Sequence, residues 1–433
     1  MFLQRTCYKA RGRPMVAEKS QVGSWPGWAL RYEELGQEVE LLAPAALPSL
    51  FCSPVNVDEC FVMSGPRLGR LVAEGRAAGG LASELSCNVQ RHLAAGSDAE
   101  LGLDWPEGLN WVRSVLGPPE RVQVGGTGPQ AAWAVSALGA PTIMSLGART
   151  EEVVGVLPPT VMVCSDGSVL PVGEVAMSET TGCARHHILE FPLELPGCER
   201  VRERSQRLIV RFGPLEFGID EEFLAMQPSL CRGAGGGLLA GLNAIPLRDG
   251  AGMHWVKAIA RSWMDGELGF RHLELGDSSE CEVLRSNVLS LRGLVSSVGL
   301  SLTEMWKIWG GSRDVSLAAL DLAAALGCGS VVVHADHWSL CVHQEDPRRV
   351  IRRLMAGNLL AAVRAGSTAP QGILHVPEDA TYSEDIPSAG RLKGGWRVDC
   401  CPAPHLRRPA STIGLGDTFT GGMLLAEALR EHR

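Results

Sequence analysis

The sequence predicts an α/β fold, in which a large domain built on a mainly parallel central sheet carries a small β-rich lid. Three observations predict it. Apolar, β-branched runs such as Leu208-Ile209-Val210 and Ser330-Val331-Val332-Val333 alternate with amphipathic stretches such as 348–364 over most of the 433 residues. The segment 153–193 is instead cut into short β-like pieces around the turn Ser165-Asp166-Gly167, which is hairpin punctuation. Near the C-terminus, Ile413-Gly414-Leu415-Gly416-Asp417 is a glycine turn that runs into the small and apolar residues of a helix start.

Composition narrows the classes of function. A chain of this length with 45% hydrophobic residues can bury a large core, as one domain with an insertion or as two domains. The net charge of -8 argues against nucleic-acid binding. The basic cluster Arg202-Glu203-Arg204-Ser205-Gln206-Arg207 is interrupted by acid and polar residues and reads as a solvated helix face. The 13 cysteines are scattered without a C-x-x-C pair, which argues against a zinc site or a disulfide framework and for a reducing cytoplasm. No run approaches the roughly 20 apolar residues of a membrane span, and no signal-peptide apolar region opens the chain.

In chain order, residues 1–49 form an N-terminal extension of charged helical pieces. The main unit runs from 50 to 433, with the lid drawn from about 60–120 and 153–193. Asn56 and Asp58 lie two apart at the start of a strand, so they share a face and can grip adjacent hydroxyls; an Asx-rich turn is the competing reading. Gly125-Gly126-Thr127-Gly128 joins a strand to a helix of small residues. It lacks the spacing of a dinucleotide fingerprint, and the chain holds no Walker loop. Alternation places His272 and Glu274 on one strand face, and Glu304 follows a second strand. Two spaced glutamates without a Cys/His cluster suit Mg2+, which prefers oxygen ligands and keeps several waters; surface charge or helix-start stabilisation is the alternative. His186 and His187 read as strand side chains. His334, Asp336 and His337, at a turn between two strands, could be read as a metal site. Asp417 is either a helix cap or, beside an anion-binding helix start, a group placed to take a proton from an attacking hydroxyl.

These motifs, in this order, resemble the ADP-dependent glucokinase and phosphofructokinase family within the ribokinase-like superfamily. Arg408-Pro409-Ala410-Ser411-Thr412-Ile413-Gly414-Leu415-Gly416-Asp417-Thr418 is similar to the family's C-terminal signature. Phe270-Arg271-His272-Leu273-Glu274 resembles its His-x-Glu segment, Asn56-Val57-Asp58 its sugar-binding stretch, and Arg185 to Pro192 the strand returning from its lid. Gly233 to Ile245 is similar to another strand end of the family, which makes Asn243 a possible contact. The resemblance implies a ribokinase-like large domain and phosphoryl transfer from Mg-bound ADP to a hydroxyl of glucose or fructose 6-phosphate. It implies Asp417 as catalytic base, and Asn56, Asp58, Gly125 and Gly126 on the sugar. It further implies Gly414, Leu415 and Gly416 as the anion hole, and Glu274, Glu304 and Asp417 around the metal. Gly299-Leu300-Ser301 departs from the family's Gly-Leu-Asn by carrying Ser301. A phosphorylated acceptor needs a basic partner, for which Arg185 is the candidate. An ATP-dependent ribokinase-like sugar kinase and a non-catalytic sugar or nucleotide binder are the alternatives. The sequence assigns no oligomeric state.

Overall fold

The computed structural model describes residues 25–96, 98–177, 184–195, 205–213, 218–246, 249–278, 280–312 and 314–429. Residues 1–24 and positions 202–204 of the basic cluster lie outside them. In chain order the strands are β1 (Ser49–Cys52), β2 (Asn56–Val62), β3 (Ala99–Leu103), β4 (Arg121–Gly125), β5 (Thr142–Met144), β6 (Met162–Ser165), β7 (Ser168–Pro171) and β8 (Ala184–Phe191). They continue with β9 (Gln206–Phe212), β10 (Gly236–Leu239), β11 (Phe270–Glu274), β12 (Ser297–Ser301), β13 (Ser330–His334), β14 (Trp338–His343), β15 (Gly390–Arg391) and β16 (Arg397–Pro402). Among the described residues they form two sheets, ordered β15-β16-β14-β13-β12-β11-β10-β1-β5-β6-β7 and β3-β9-β8-β2-β4.

The middle of the large sheet, from β6 through β5, β1, β10, β11 and β12 to β13, is parallel, and antiparallel pairings finish both edges. Parallel strands are covered on both faces, so their side chains are apolar on both sides. Phe51, Leu238, Phe270 and Val332 face one core with helices Trp25–Leu42, Thr127–Ser136, Pro347–Ala365 and Leu415–Ala428. Their neighbours Leu50, Leu239, Leu273 and Val331 face the other, with helices Glu221–Leu230, Gly250–Asp265, Cys281–Leu289 and Val315–Leu326. The small sheet has its own core, in which Phe61, Leu189, Phe191, Leu208 and Val210 pack on helices Gly65–Ala78, Gly80–Ala95 and Gly108–Leu116.

The fold is the α/β arrangement the alternation predicts, but three local expectations need correction. The hairpin β6–β7 is present, with Asp166 and Gly167 at φ 51° and 73° as an Asp-Gly turn requires. It extends the edge of the large sheet rather than the lid, because Val161, Val163 and Val172 are apolar enough to finish a buried core there. Strand β9, from the run Leu208-Ile209-Val210 counted with the alternation of the large domain, belongs to the small sheet, antiparallel to β8 and parallel to β3. The helix Trp25–Leu42, expected within an extension, packs into the large core along Trp28, Tyr32, Leu35 and Val39. Its Tyr32 hydroxyl donates to the Pro402 carbonyl at 2.6 Å.

Candidate active site

The first crossing of the chain between the two sheets is three residues long. β1 of the large sheet ends at Cys52 and β2 of the small sheet starts at Asn56, so Asn56 and Asp58 emerge beside the carboxyl ends of the large sheet's strands. Ligands of open α/β sheets bind at that edge. β2 pairs with β4 so that Asn56 lies opposite Gly125. A Cβ on Gly125 would overlap the Asp58 carboxylate, and one on Gly126 would overlap the Pro54 carbonyl; Gly126 also holds φ 95°. The glycine pair therefore lets the Asp58 carboxylate lie across the turn. Asp58 is buried, its Oδ1 has no hydrogen-bond partner among the described residues, and His186 Nδ1 lies 3.6 Å away.

The C-terminal turn faces this group from the large domain. Gly414 (φ 70°) caps helix Leu415–Ala428, which places Asp417 in the first turn beside the free backbone amides. A Cβ on Gly414 would come 2.8 Å from Gln130 Oε1, and one on Gly416 3.2 Å from the His334 ring. Asp417 is hydrogen-bonded to Thr127, the residue after the Gly125-Gly126 pair. The two glycine turns thus meet at the Asp417 carboxylate. Burial raises Asp417 above the usual carboxylate range, with the Thr127 hydrogen bond and the Arg207 charge opposing it. Burial, followed by the charges of Asp417 and Glu100, pushes Asp58 up to about 8, and Arg207 again opposes.

Glu274 ends β11 and is buried between two histidines. His272 Nε2 lies 2.9 Å from Oε2, and His334 Nε2 lies 3.1 Å from Oε1. Gly299 on the intervening strand makes the room, since a Cβ there would overlap Glu274. Burial alone would raise the Glu274 carboxyl, but the histidine hydrogen bonds and charges outweigh it and hold it at about 2. His334 is displaced the other way: burial lowers it, and the Glu274 hydrogen bond with the charges of Glu274, Glu304 and Asp417 raises it overall.

Ser301 occupies the position where the family carries Asn. Its Oγ accepts from the Glu304 amide at 3.2 Å, and Glu304 Oε2 accepts from the Ser301 amide at 2.7 Å, which closes a capping box. Serine and asparagine are equally good at this task. Ser301→Ala is expected to cost about 1 kcal/mol and Ser301→Asn almost nothing, as urea denaturation would measure. Burial raises Glu304 to about 7, with the His334 charge opposing.

The structure therefore brings Asn56, Asp58, Gly125, Gly126, Gly414, Leu415, Gly416 and Asp417 to one place, with Glu274 close enough to act electrostatically on Asp417. Glu274 acts electrostatically on both Glu304 and Asp417. Among the described residues no group of three or more His, Cys, Asp or Glu side chains is placed to hold a metal ion. Arg185 is committed elsewhere: it donates to Glu59 at 2.7 Å and also pairs with Glu152. Asn243 is turned to the Asp277 carbonyl at 2.9 Å.

Arg207 and Glu100 were missed. Arg207 lies in β9, not on a solvated helix face; it directly precedes the run Leu208-Ile209-Val210 that the sequence marks as a strand. Glu100 lies on β3, a five-residue strand with a glycine at its fourth position and weak patterning, and is ion-paired with Arg211.

A largely parallel sheet with an acid in the first turn of a glycine-capped C-terminal helix, faced by a small second sheet, is the ribokinase-like fold. Within that class the chain is similar to solved structures of ADP-dependent kinases. One is an ADP-dependent kinase in complex with fructose-6-phosphate and ADPbetaS, at a TM-score of 0.76 and 17% identity, with 95% of this chain and 100% of that chain covered. Another is the last common ancestor of ADP-dependent phosphofructokinases from Methanosarcinales, at 0.71 and 16%, with 94% and 99% covered. A third is a hypothetical ADP-dependent phosphofructokinase from Pyrococcus horikoshii OT3, at 0.68 and 16%, with 89% and 98% covered. No protein-family model and no curated protein matches the sequence. At these identities the likeness establishes the fold.

Proposed function

We propose that this chain is an ADP-dependent sugar kinase, with Asp417 as its catalytic base. The observation that supports the reading most is the position of Asp417. It is in the first turn of a helix whose free amides suit an anion, and it is hydrogen-bonded to the turn on the sugar side. Asn56, Asp58 and the turn at 125–126 seat the sugar. Asp417 takes the proton of its reacting hydroxyl as the oxygen attacks the β-phosphorus of ADP. The bond to the α,β-bridging oxygen breaks, AMP leaves, and the negative charge developing on the transferred group is met by the amides of Gly414, Leu415 and Gly416. Burial favours a base stronger than an exposed aspartate.

Mg2+ fits the surroundings as an ion held through its own waters and the phosphates. Both Glu274 oxygens are engaged by histidines, and one Glu304 oxygen by the Ser301 amide, so these carboxylates would grip coordinated water rather than the ion itself. When bound, magnesium supplies charge neutralisation on the phosphates. The small sheet would act as the lid that excludes competing water. No helix among the described residues is long and apolar enough to cross a membrane, and the described cysteines are free thiols; we assign the enzyme to the cytoplasm.

For the acceptor we propose a neutral hexose such as glucose over fructose 6-phosphate. The charges of Asp417 and Glu100 act on Asp58 beside the sugar position with Arg207 opposing them, and Arg185 is consumed by two glutamates. With Arg185 committed, the basic partner that a phosphorylated acceptor needs is taken up, so the neutral acceptor is expected to have the higher kcat/KM. Steady-state rates with glucose and with fructose 6-phosphate, at fixed ADP and magnesium, check this. A preference for the sugar phosphate would reverse the assignment, and turnover with ATP but not ADP would move the chain to the ATP-using sugar kinases.

A further inference from the structure

We infer that Glu190 and Arg207 of the small sheet are positioning residues, which set the anion-binding turn and Asp417 by holding the segment that leads into them. Residues 411–413 immediately precede Gly414, and each is held by the small sheet. The Ser411 hydroxyl donates to Glu190 Oε1 at 2.9 Å, from β8. The Arg207 guanidinium, on β9, donates to the Thr412 carbonyl. Ile413 is buried against Cys60 and Ile188, with Ile209 beside them, from β2, β8 and β9. The Ile413 amide closes the segment on itself by donating to Ser411 Oγ at 3.1 Å. Glu190 is fixed in turn by Arg121 of β4 at 2.5 Å, and Arg207 by its own amide, which donates to Asp98 at 2.8 Å. On the large-domain side, the Ala410 amide donates to the Ala365 carbonyl at 2.7 Å.

The same sheet carries Asn56 and Asp58 on β2 and Gly125 on β4. A displacement of that sheet, such as one caused by a sugar, is therefore passed through 411–413 to the helix N-terminus. Seating the acceptor and aligning the anion hole with its base become one movement. Tethers of this kind act on geometry, and a misplacement of about 1 Å can cost about 100-fold in rate. Ser411 and Thr412 sit in the lead-in to the glycine turn, and this gives them a task apart from contact with substrate.

The test uses the full-length chain carrying Ser411→Ala, Ser411→Thr or Glu190→Gln, and the double variant Glu190→Gln/Ser411→Ala. Amide hydrogen exchange is measured without ligands, so that readout does not depend on the kinase reading. Ser411→Ala and Glu190→Gln are expected to speed exchange of the Thr418 amide, which donates to the Gly414 carbonyl at 2.8 Å, about tenfold while the rest of helix Leu415–Ala428 keeps its protection. Ser411→Thr, which retains the hydroxyl, restores it. Unchanged exchange at Thr418, or a uniform rise across the chain, overturns the inference whether or not the protein is a kinase. The kinetic arm rests on the proposed reaction. Ser411→Ala is expected to lower kcat by about 10- to 100-fold with KM for sugar and nucleotide within about twofold, and the double variant to be no slower than the worse single one. A loss confined to KM, or losses that multiply, would also overturn it.

Discussion

Asp417→Asn is expected to lower kcat by about 100- to 10,000-fold, the range general-base catalysis supplies. The substitution keeps the size of the side chain and its capacity to bond Thr127. What it removes is the lone pair that accepts the sugar proton. Nucleotide and sugar affinities are therefore expected to stay within a few-fold of the parent, so the defect falls on kcat. The parent's rate is expected to drop on acidification through an apparent pKa above that of ordinary carboxylates, because burial raises Asp417 and the reaction needs it unprotonated. Steady-state release of AMP, measured from about pH 5 to 9 with binding of both ligands, checks each part.

Asp58→Asn is expected to strengthen the fold and weaken the site. Burial, with the charges of Asp417 and Glu100, raises Asp58 from an ordinary 3.8 to about 8. The folded state thus holds this proton more tightly than the unfolded chain. The stabilisation is full below about pH 4, diminishes at up to about 1.4 kcal/mol per pH unit, and is gone once pH passes about 8. The replacing amide carries no charge to bury, so the variant is expected to be more stable by about 2–4 kcal/mol at about pH 8 and unchanged near about pH 4. Its KM for the sugar should rise by roughly 10- to 100-fold, because hydrogen bonds to a charged partner are worth about 1.5–3 kcal/mol. Urea titrations of both proteins at about pH 4.5 and about pH 8, with sugar kinetics at the higher value, give the comparison. Equal stability at both pH values would place the Asp58 pKa in the ordinary range.

How far the site could be read in advance depended on whether its chemistry was local in the chain. The turn before Asp417 was legible because glycine, glycine, acid and an apolar helix follow one another within a short stretch. Asn56 and Asp58 were legible as a spacing of two on a strand. Arg207 was not, because its meaning comes from β9 pairing with β8, whereas the neighbouring charges suggest a helix face. Glu100 was hidden for a similar reason: β3 is five residues long and pairs with a strand more than one hundred positions away. The hairpin at 162–171 was recognised from its Asp-Gly turn, but a turn says nothing of which sheet its strands extend; that was decided by the apolar residues on its two faces. Glu274 and Glu304 stand out in the sequence as two spaced acids, while their engagement by His272, His334 and Ser301 required the register of three adjacent strands.

The most direct test follows the nucleotide product when the full-length chain is mixed with ADP, magnesium and glucose. The account predicts one AMP and one sugar phosphate formed per ADP consumed, at a rate that falls at least about 100-fold in Asp417→Asn. An absence of AMP with glucose and with fructose 6-phosphate, under conditions where ADP is bound, would contradict it.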